Sequence, residues 1–274
     1  MKYSIKDMKD KLESNSFNFK KKFGQNFIID ENIINGIINK SDIDKDTMVI
    51  EIGPGSGSLT YKLCEYSKNV LCYEIDTTLK DILEDNLSGY DNKKIIFNDF
   101  LKSDVLNDIK DYNYKKLYVV ANLPYYITTP IITKIIEDNI PVDKIVVMVQ
   151  KEVGDRFRAL PGSKEYNSLS IFLQYNFNIK KVMDVSKNVF IPKPNVDSIV
   201  VEFSKKDKEE VKDLNKFYKL VKDSFEFKRK TLRNNLKGYD LDKVESVLKK
   251  YGYDLSVRAE NLDIKVFIDI ANNL

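Results

Sequence analysis

The 274-residue chain contains no histidine. That absence excludes Ser-His and Cys-His nucleophilic catalysis, His-ligated metals and His general-base chemistry together. Cysteine is scarce as well. Cys64 and Cys72 are the only two, one in a segment patterned as a helix and one in a segment patterned as a strand. They read as buried thiols rather than a disulfide or a metal pair, the usage of a cytosolic protein. No apolar run approaches the length that crosses a bilayer. The lysine-rich start, Met1-Lys-Tyr-Ser-Ile-Lys-Asp-Met, lacks the apolar core of a signal peptide. The expectation is therefore a cytoplasmic protein with no membrane partner. A net charge of +3 favours anionic partners only mildly. Any reaction must depend on positioning, carboxylates, amides or a bound cofactor.

What the chain does have is an apolar run that ends in closely spaced glycines, Val49-Ile-Glu-Ile-Gly-Pro-Gly-Ser-Gly-Ser-Leu-Thr60. This predicts a buried strand, a tight turn and a helix N-terminus. Gly53, Gly55 and Gly57 occupy alternate positions. There a Cβ would obstruct a close-lying ligand or forbid the positive φ of the turn. About twenty residues on, a second predicted strand, Val70-Leu-Cys-Tyr-Glu74, ends in the acid expected on ribose hydroxyls. A dinucleotide and an adenosyl group both satisfy this pattern.

Strands are expected at 48–52, 70–75, 94–98, 117–121 and 144–149, with helices between them. That alternation predicts a parallel sheet covered on both faces, with ligands at the carboxyl ends of its strands. Those ends carry Glu51, Glu74, Asp99 and Asn122 in turn. Before the sheet, Phe23 to Ile29 is too irregular for a regular element and too apolar for a solvated loop. It reads either as a plug packed on the core or as an arm over a bound cofactor. Asp30 is the expected N-cap of the helix that follows. After a helix from Lys151 to Ala159, two strands at 179–185 and 196–203 flank Phe190-Ile-Pro-Lys-Pro-Asn195, whose prolines predict a stiff extended loop. Residues 204–210 form a charged linker, and the remainder has helical periodicity. The expected domains are 1–204 and 205–274.

The chemistry is concentrated in Tyr118-Val-Val-Ala-Asn-Leu-Pro-Tyr-Tyr126. A planar exocyclic amine becomes nucleophilic only when acceptors on its N–H groups draw the nitrogen toward a tetrahedral shape. The Asn122 side-chain oxygen and the Leu123 carbonyl are placed to supply two acceptors. Pro124 stiffens the turn, and Tyr125 offers a ring for a flipped base to stack on.

Asn122-Leu-Pro-Tyr125 resembles the Asn/Asp-Pro-Pro-Tyr signature of adenine-N6 methyltransferases, with Leu at the second position. Glu51-Ile-Gly-Pro-Gly-Ser-Gly57 resembles their S-adenosylmethionine loop. Phe23-Gly-Gln-Asn-Phe27, Gln150-Lys-Glu152, Phe190-Ile-Pro-Lys-Pro-Asn-Val-Asp-Ser198 and Arg229-Lys-Thr-Leu-Arg-Asn-Asn235 narrow the resemblance. They point to the bacterial 16S ribosomal RNA adenine dimethyltransferases, the KsgA/RsmA family. The resemblance implies an α/β, Rossmann-like S-adenosylmethionine-dependent methyltransferase sheet with a small C-terminal helical domain. It implies dimethylation of two adjacent adenosines in a hairpin loop near the 3′ end of the small-subunit rRNA, tied to small-subunit biogenesis. S-adenosylmethionine is then the methyl donor and no metal is expected. The partner is 16S rRNA or the small ribosomal subunit, and the enzyme is expected to be a monomer.

By matching position, Asn26 and Ile28 belong to the arm over the cofactor. Gly53 approaches its methionine part, Glu74 its ribose hydroxyls and Asp99 its adenine amine, and Gly55 also belongs to the cofactor-binding set. Asn122 lies between cofactor and target base, within the catalytic stretch of Asn122, Leu123, Pro124 and Tyr125, and Phe190 is expected on the opposite face of that base. In the helical end Lys219, Lys222, Lys228, Arg229, Lys230, Arg233 and Lys237 crowd together, opposed only by Asp223 and Glu226. On one continuous helix Lys222, Arg229 and Arg233 share a face. Together with Lys230 they are the expected RNA-backbone contacts. An Erm-type 23S rRNA methylase, a non-catalytic ribosome-assembly factor and an NAD-dependent oxidoreductase are the competing readings. Phe190-Ile-Pro-Lys-Pro194 and Arg229-Lys-Thr-Leu-Arg233 argue against the first, the intact acids with Asn122 against the second, and an unexplained Asn122-Leu-Pro-Tyr125 against the third.

Overall fold

A computed structural model describes residues 26–124 and 127–274. Chain contacts divide it into two compact units. The first takes in the described residues up to Gly154 together with Lys180–Lys205, and the second Asp155–Ile179 with Lys206–Leu274.

The first unit opens with β1 (Phe27–Ile28) and α1 (Glu31–Ser41). Asp30 caps α1 as expected, its Oδ1 accepting from the Asn32 N–H at 2.8 Å. Ile34, Ile37, Ile38 and Ser41 then recur at helical spacing and form the buried face of α1. There follow β2 (Thr47–Ile52), α2 (Thr60–Tyr66), β3 (Asn69–Tyr73), α3 (Lys80–Asn86), β4 (Lys93–Ile96) and α4 (Val105–Ile109). β5 (Lys116–Asn122), α5 (Thr128–Glu137), β6 (Lys144–Gln150) and α6 (Lys151–Phe157) complete the alternation. All six residues of β2 are buried, as are the first six of the seven in β6. Their β-branched runs suit strands covered on both faces.

Beyond α7 (Ser168–Asn176), β7 (Phe177–Val185), β8 (Phe190–Ile191) and β9 (Ser198–Lys205) close the strand list. The main sheet has the order β4-β3-β2-β5-β6-β9-β7. β2 pairs in parallel with both β3 and β5, so the order reverses direction between β2 and β5. A ligand crevice is expected at the carboxyl ends there. β9 runs antiparallel to β6.

Two sequence expectations change at β1 and β8. Of the stretch from Phe23 to Ile29, residues 23–25 lie outside the described residues, and the described part holds a short strand in which Phe27 and Ile28 pair antiparallel with Ile191 and Phe190. The proline loop in turn carries the short strand β8 just before Pro192. Neither strand has enough residues to show a period.

The second unit is helical. α8 (Leu214–Ser224), α9 (Leu232–Asn235), α10 (Leu241–Lys250) and α11 (Ile264–Asn273) follow α7. Asp213, Asp240 and Asp263 each cap the helix they precede, accepting backbone N–H groups of Lys216, Lys243 and Lys265. Phe217, Leu220 and Val221 of α8 face a shared core with Val247 and Phe267. That core also takes in Tyr166, Ile171 and Tyr175, with the Tyr175 ring centroid 5.0 Å from that of Phe217. The second unit thus takes in 155–179 as well as 206–274 of the expected 205–274, with Ala159, Tyr166, Ile171 and Tyr175 of the added segment in its core.

The continuous basic helix expected around 219–237 is interrupted. α8 ends at Ser224 and α9 begins only at Leu232. Phe225 turns inward against Phe267, at 6.0 Å between centroids, and the Asn235 side-chain nitrogen takes the Ser224 carbonyl at 2.6 Å. The second contact satisfies the Ser224 carbonyl that another helical turn would have paired, and the first buries a side chain at the break.

Candidate active site

The cleft lies at the carboxyl ends of β2, β3, β4 and β5 and has an open volume of about 950 Å³. β2 leads into Gly53 and Gly55, with φ of +70° and +61°. Side chains rarely adopt that conformation. A Cβ on Gly55 would also meet the Phe27 ring at 2.8 Å, so β1 rests directly on the glycine turn. Glu74 ties this turn to the one after β3. Its Oε2 accepts from the Gly55 N–H at 3.0 Å and its Oε1 from the Asp76 N–H at 2.8 Å. At 4% exposure, burial raises the Glu74 carboxyl above its ordinary value, and the two backbone hydrogen bonds oppose that rise.

Glu51 is 2% exposed, and the Cys72 thiol points to its Oε2 at 3.8 Å. Burial pushes the Glu51 carboxyl up to about 8, and the nearby Glu74 adds to the rise. Asp99 uses Oδ1 to accept the Leu101 N–H at 3.0 Å, which holds the short turn after β4 in the cleft wall. Asn122 closes β5, paired with Met148 of β6. Its side-chain nitrogen donates to the Asn26 carbonyl at 2.7 Å. Among the described residues nothing donates to its Oδ1, which remains an acceptor.

Most of the expected site residues meet here. Asn26, Ile28, Gly53, Gly55, Glu74, Asp99 and Asn122 all line the cleft, with Leu123 and Pro124. Tyr125 lies outside the described residues. Phe190 does not reach the cleft. Its ring is 3% exposed in the core cluster that holds Phe27 and Ile28, and its strand instead pairs with β1. Lys222, Arg229, Lys230 and Arg233 are exposed residues of the second unit. Lys222 sits on the last turn of α8, Arg229 and Lys230 in the following turn and Arg233 on α9, so they do not share one helix face.

Sequence reasoning missed the apolar wall. Ile75, 49% exposed, and Leu101 line the cleft directly after Glu74 and close behind Asp99. Their signal was an apolar residue placed just past each strand-end acid.

The residues present fit S-adenosylmethionine. Three carboxyl groups line the cleft, and no lysine or arginine does among the described residues. With no cation in the lining a pyrophosphate would lack a partner, whereas a sulfonium needs none and meets the Glu74 and Asp99 carboxyl groups instead. No group of three or more acids or cysteines that could hold a metal occurs among the described residues. No helix of the described residues is long and apolar enough to cross a membrane.

A model of the family described as ribosomal RNA adenine dimethylase matches residues 16–274. The chain belongs to this family. The ribosomal RNA small subunit methyltransferase A of Staphylococcus carnosus is 46% identical over 273 residues, covering 96% of this chain and 92% of the relative. The protein of the same name from Staphylococcus aureus (strain bovine RF122 / ET3-1) is 47% identical over 270 residues, covering 95% and 91%. A dimethyladenosine transferase structure from Plasmodium falciparum has a TM-score of 0.73 at 26% identity, covering 88% of this chain and 94% of that one. The 23S rRNA methyltransferase ErmE, with a TM-score of 0.71 at 23% identity over 90% and 99%, shares the fold. As a ribosomal RNA adenine dimethylase, the chain is an S-adenosylmethionine-dependent methyltransferase that dimethylates adenine in ribosomal RNA. The oxidoreductase and non-catalytic readings are thereby set aside.

Proposed function

We propose that the substrate is 16S rRNA in the small ribosomal subunit, dimethylated at N6 of two adjacent adenosines in a hairpin loop near its 3′ end. The observation that carries this reading is the convergence of Glu51, Glu74, Asp99 and Asn122 on one cleft, in a chain 46% identical to a small-subunit methyltransferase.

Glu74 keeps lone pairs free for ribose hydroxyls while it holds the Gly55 N–H, and Asp99 keeps one oxygen free for an adenine amine. Ile75 and Leu101 supply apolar contact for the ring. Gly53 and Gly55 admit the methionine part, and Asn26 with Ile28 covers it. When bound, S-adenosylmethionine supplies an electrophilic methyl group for in-line transfer. Asn122 Oδ1 accepts from the target N6–H, and the Leu123 carbonyl, on the turn stiffened by Pro124, accepts from the other. Tyr125 stacks on the base. The nitrogen loses its proton after transfer, so a neutral amide suffices and no histidine is needed. Holding the amine in line can contribute several kcal/mol, on the order of 7–11 in well-oriented reactions. After the first transfer N6 has one hydrogen left, so one acceptor is dispensable for the second. Phe190 supports β1 over the cleft through the β8 pairing.

The second unit supplies the RNA-backbone contacts, through Lys222, Arg229, Lys230 and Arg233. We assign the enzyme to the cytoplasm as a monomer that uses no metal. The test is to incubate small and large ribosomal subunits that lack the modification with methyl-labelled S-adenosylmethionine, then analyse the nucleosides. Dimethyladenosine in the small-subunit RNA is expected. Dimethyladenosine confined to the large-subunit RNA overturns the assignment in favour of an Erm-type activity.

A further inference from the structure

Phe225 and Phe227 leave the end of α8 for different environments. Phe225 packs inward against Phe267 and Tyr166 at 6.0 and 6.1 Å between ring centroids. Phe227, two residues on, is 56% exposed. Its turn is nevertheless well anchored. The Phe227 carbonyl accepts from the Lys230 N–H at 2.8 Å. The Asn235 side-chain nitrogen bridges the Phe227 and Ser224 carbonyls at 3.4 and 2.6 Å. Lys228 Nζ donates to the Lys164 carbonyl at 3.2 Å. Downstream, the Leu232 N–H is held by the Val257 carbonyl at 2.9 Å. The ring is thus presented on a fixed turn.

Its neighbours decide what it can meet. Lys228, Arg229, Lys230 and Arg233 are all exposed, and among the described residues none of the four has an ion-pair partner. Glu226 is the only acid between Ser224 and Arg233. An apolar protein surface laid on Phe227 would desolvate several unpaired cations. A nucleotide satisfies both features, since its phosphate meets the cations and its base has a face for the ring. In a stem, stacking neighbours already cover the base faces, so the base must be unpaired.

We propose that Phe227 is a stacking platform for an unpaired base of the ribosomal RNA, with Lys228, Arg229 and Lys230 on the adjoining phosphates. This rests on the RNA-binding role given above to the second unit. It adds an aromatic contact remote in sequence from Asn122 and Tyr125.

The chain has no tryptophan, so Phe227→Trp places the single tryptophan at the site, where excitation at the red edge selects it over the tyrosines. Titration with a small-subunit rRNA transcript is expected to quench its emission and shield it from iodide, whereas a fully paired RNA duplex leaves it unshielded. Phe227→Ala and Phe227→Leu are expected to weaken transcript binding on the order of tenfold, within the range for one stacked base, with the salt slope unchanged. Phe227→Trp retains the affinity. A parental melting transition and far-ultraviolet circular dichroism in each variant report that the helical unit is folded, and unchanged S-adenosylmethionine affinity reports the same of the first unit. Emission unaltered at RNA saturation, or parental affinity in Phe227→Ala, overturns the proposal. So does emission that changes with protein concentration in the absence of RNA, which marks a protein contact instead. If Phe227→Ala binds normally while an Arg229→Glu, Arg233→Glu double variant does not, only the stacking fails. If both bind normally, the RNA-binding role of the unit fails with it.

Discussion

The Asn122 side-chain nitrogen donates to the Asn26 backbone carbonyl at 2.7 Å. One hydrogen bond thereby does two things. It fastens β1 to the end of β5, and it turns the other end of the amide, the acceptor Oδ1, away from that contact. Asn122→Asp would set a carboxylate against the Asn26 carbonyl, two acceptors at hydrogen-bond distance. The expected outcome is a looser arm and S-adenosylmethionine affinity weaker on the order of tenfold by calorimetry. Unaltered affinity would show that the arm is held by other contacts.

Glu74 holds the N–H groups of Gly55 and Asp76 and is also assigned to ribose. Glu74→Ala should weaken cofactor binding by about 1.5–3 kcal/mol, about tenfold or more, with RNA affinity unchanged. Glu74→Gln keeps one acceptor and should lose less. Calorimetry that returns parental affinity for Glu74→Ala removes the residue from the site.

Glu51 gives stability a pH signature. Burial raises its carboxyl from an ordinary 4.5 to about 8. Between those values the folded protein holds a proton that the unfolded chain has lost, so Glu51 makes stability fall as pH rises through that window and level off above it. The melting midpoint of the cofactor-free protein should therefore decline more steeply from pH 5 to 8 than that of Glu51→Gln. Parallel curves for the two proteins would contradict a protonated Glu51.

Replacing Arg229 and Arg233 together by Glu should weaken RNA binding and leave cofactor affinity unchanged. Each lost phosphate contact should lower the salt slope by somewhat under one unit, because fewer counterions are released. An unaltered slope would make these arginines solvated surface only.

Much of this was legible in the sequence. The sheet could be read because Val49-Ile50 and Ile145-Val-Val-Met-Val149 are fully buried runs, and buried strands leave an unbroken apolar signature. The acids and Asn122 could be placed because parallel topology brings every strand's carboxyl end to the same edge. The pairing of Phe27-Ile28 with Phe190-Ile191 was hidden, since two residues show no periodicity and the partner lies far along the chain. The same pairing buries Phe190, which its motif alone had placed against the target base. Charge spacing could align Lys222, Arg229 and Arg233 on a helix, but it could not foresee the break at Phe225, which depends on Phe267 and Asn235. Likewise nothing in the sequence assigned Tyr166, Ile171 and Tyr175 to the helical end of the chain, because their partners there lie far along it.

The central claim is that methyl transfer occurs at the end of β5, where Asn122 presents an acceptor to the target amine. Its most direct test is the single-turnover methyl-transfer rate of Asn122→Ala at saturating S-adenosylmethionine and small-subunit substrate, where altered affinity no longer limits the rate. The predicted result is RNA binding as in the parent and a rate lower by about 100-fold, the effect of misplacing a reacting group by about 1 Å. A rate close to that of the parent would contradict the claim.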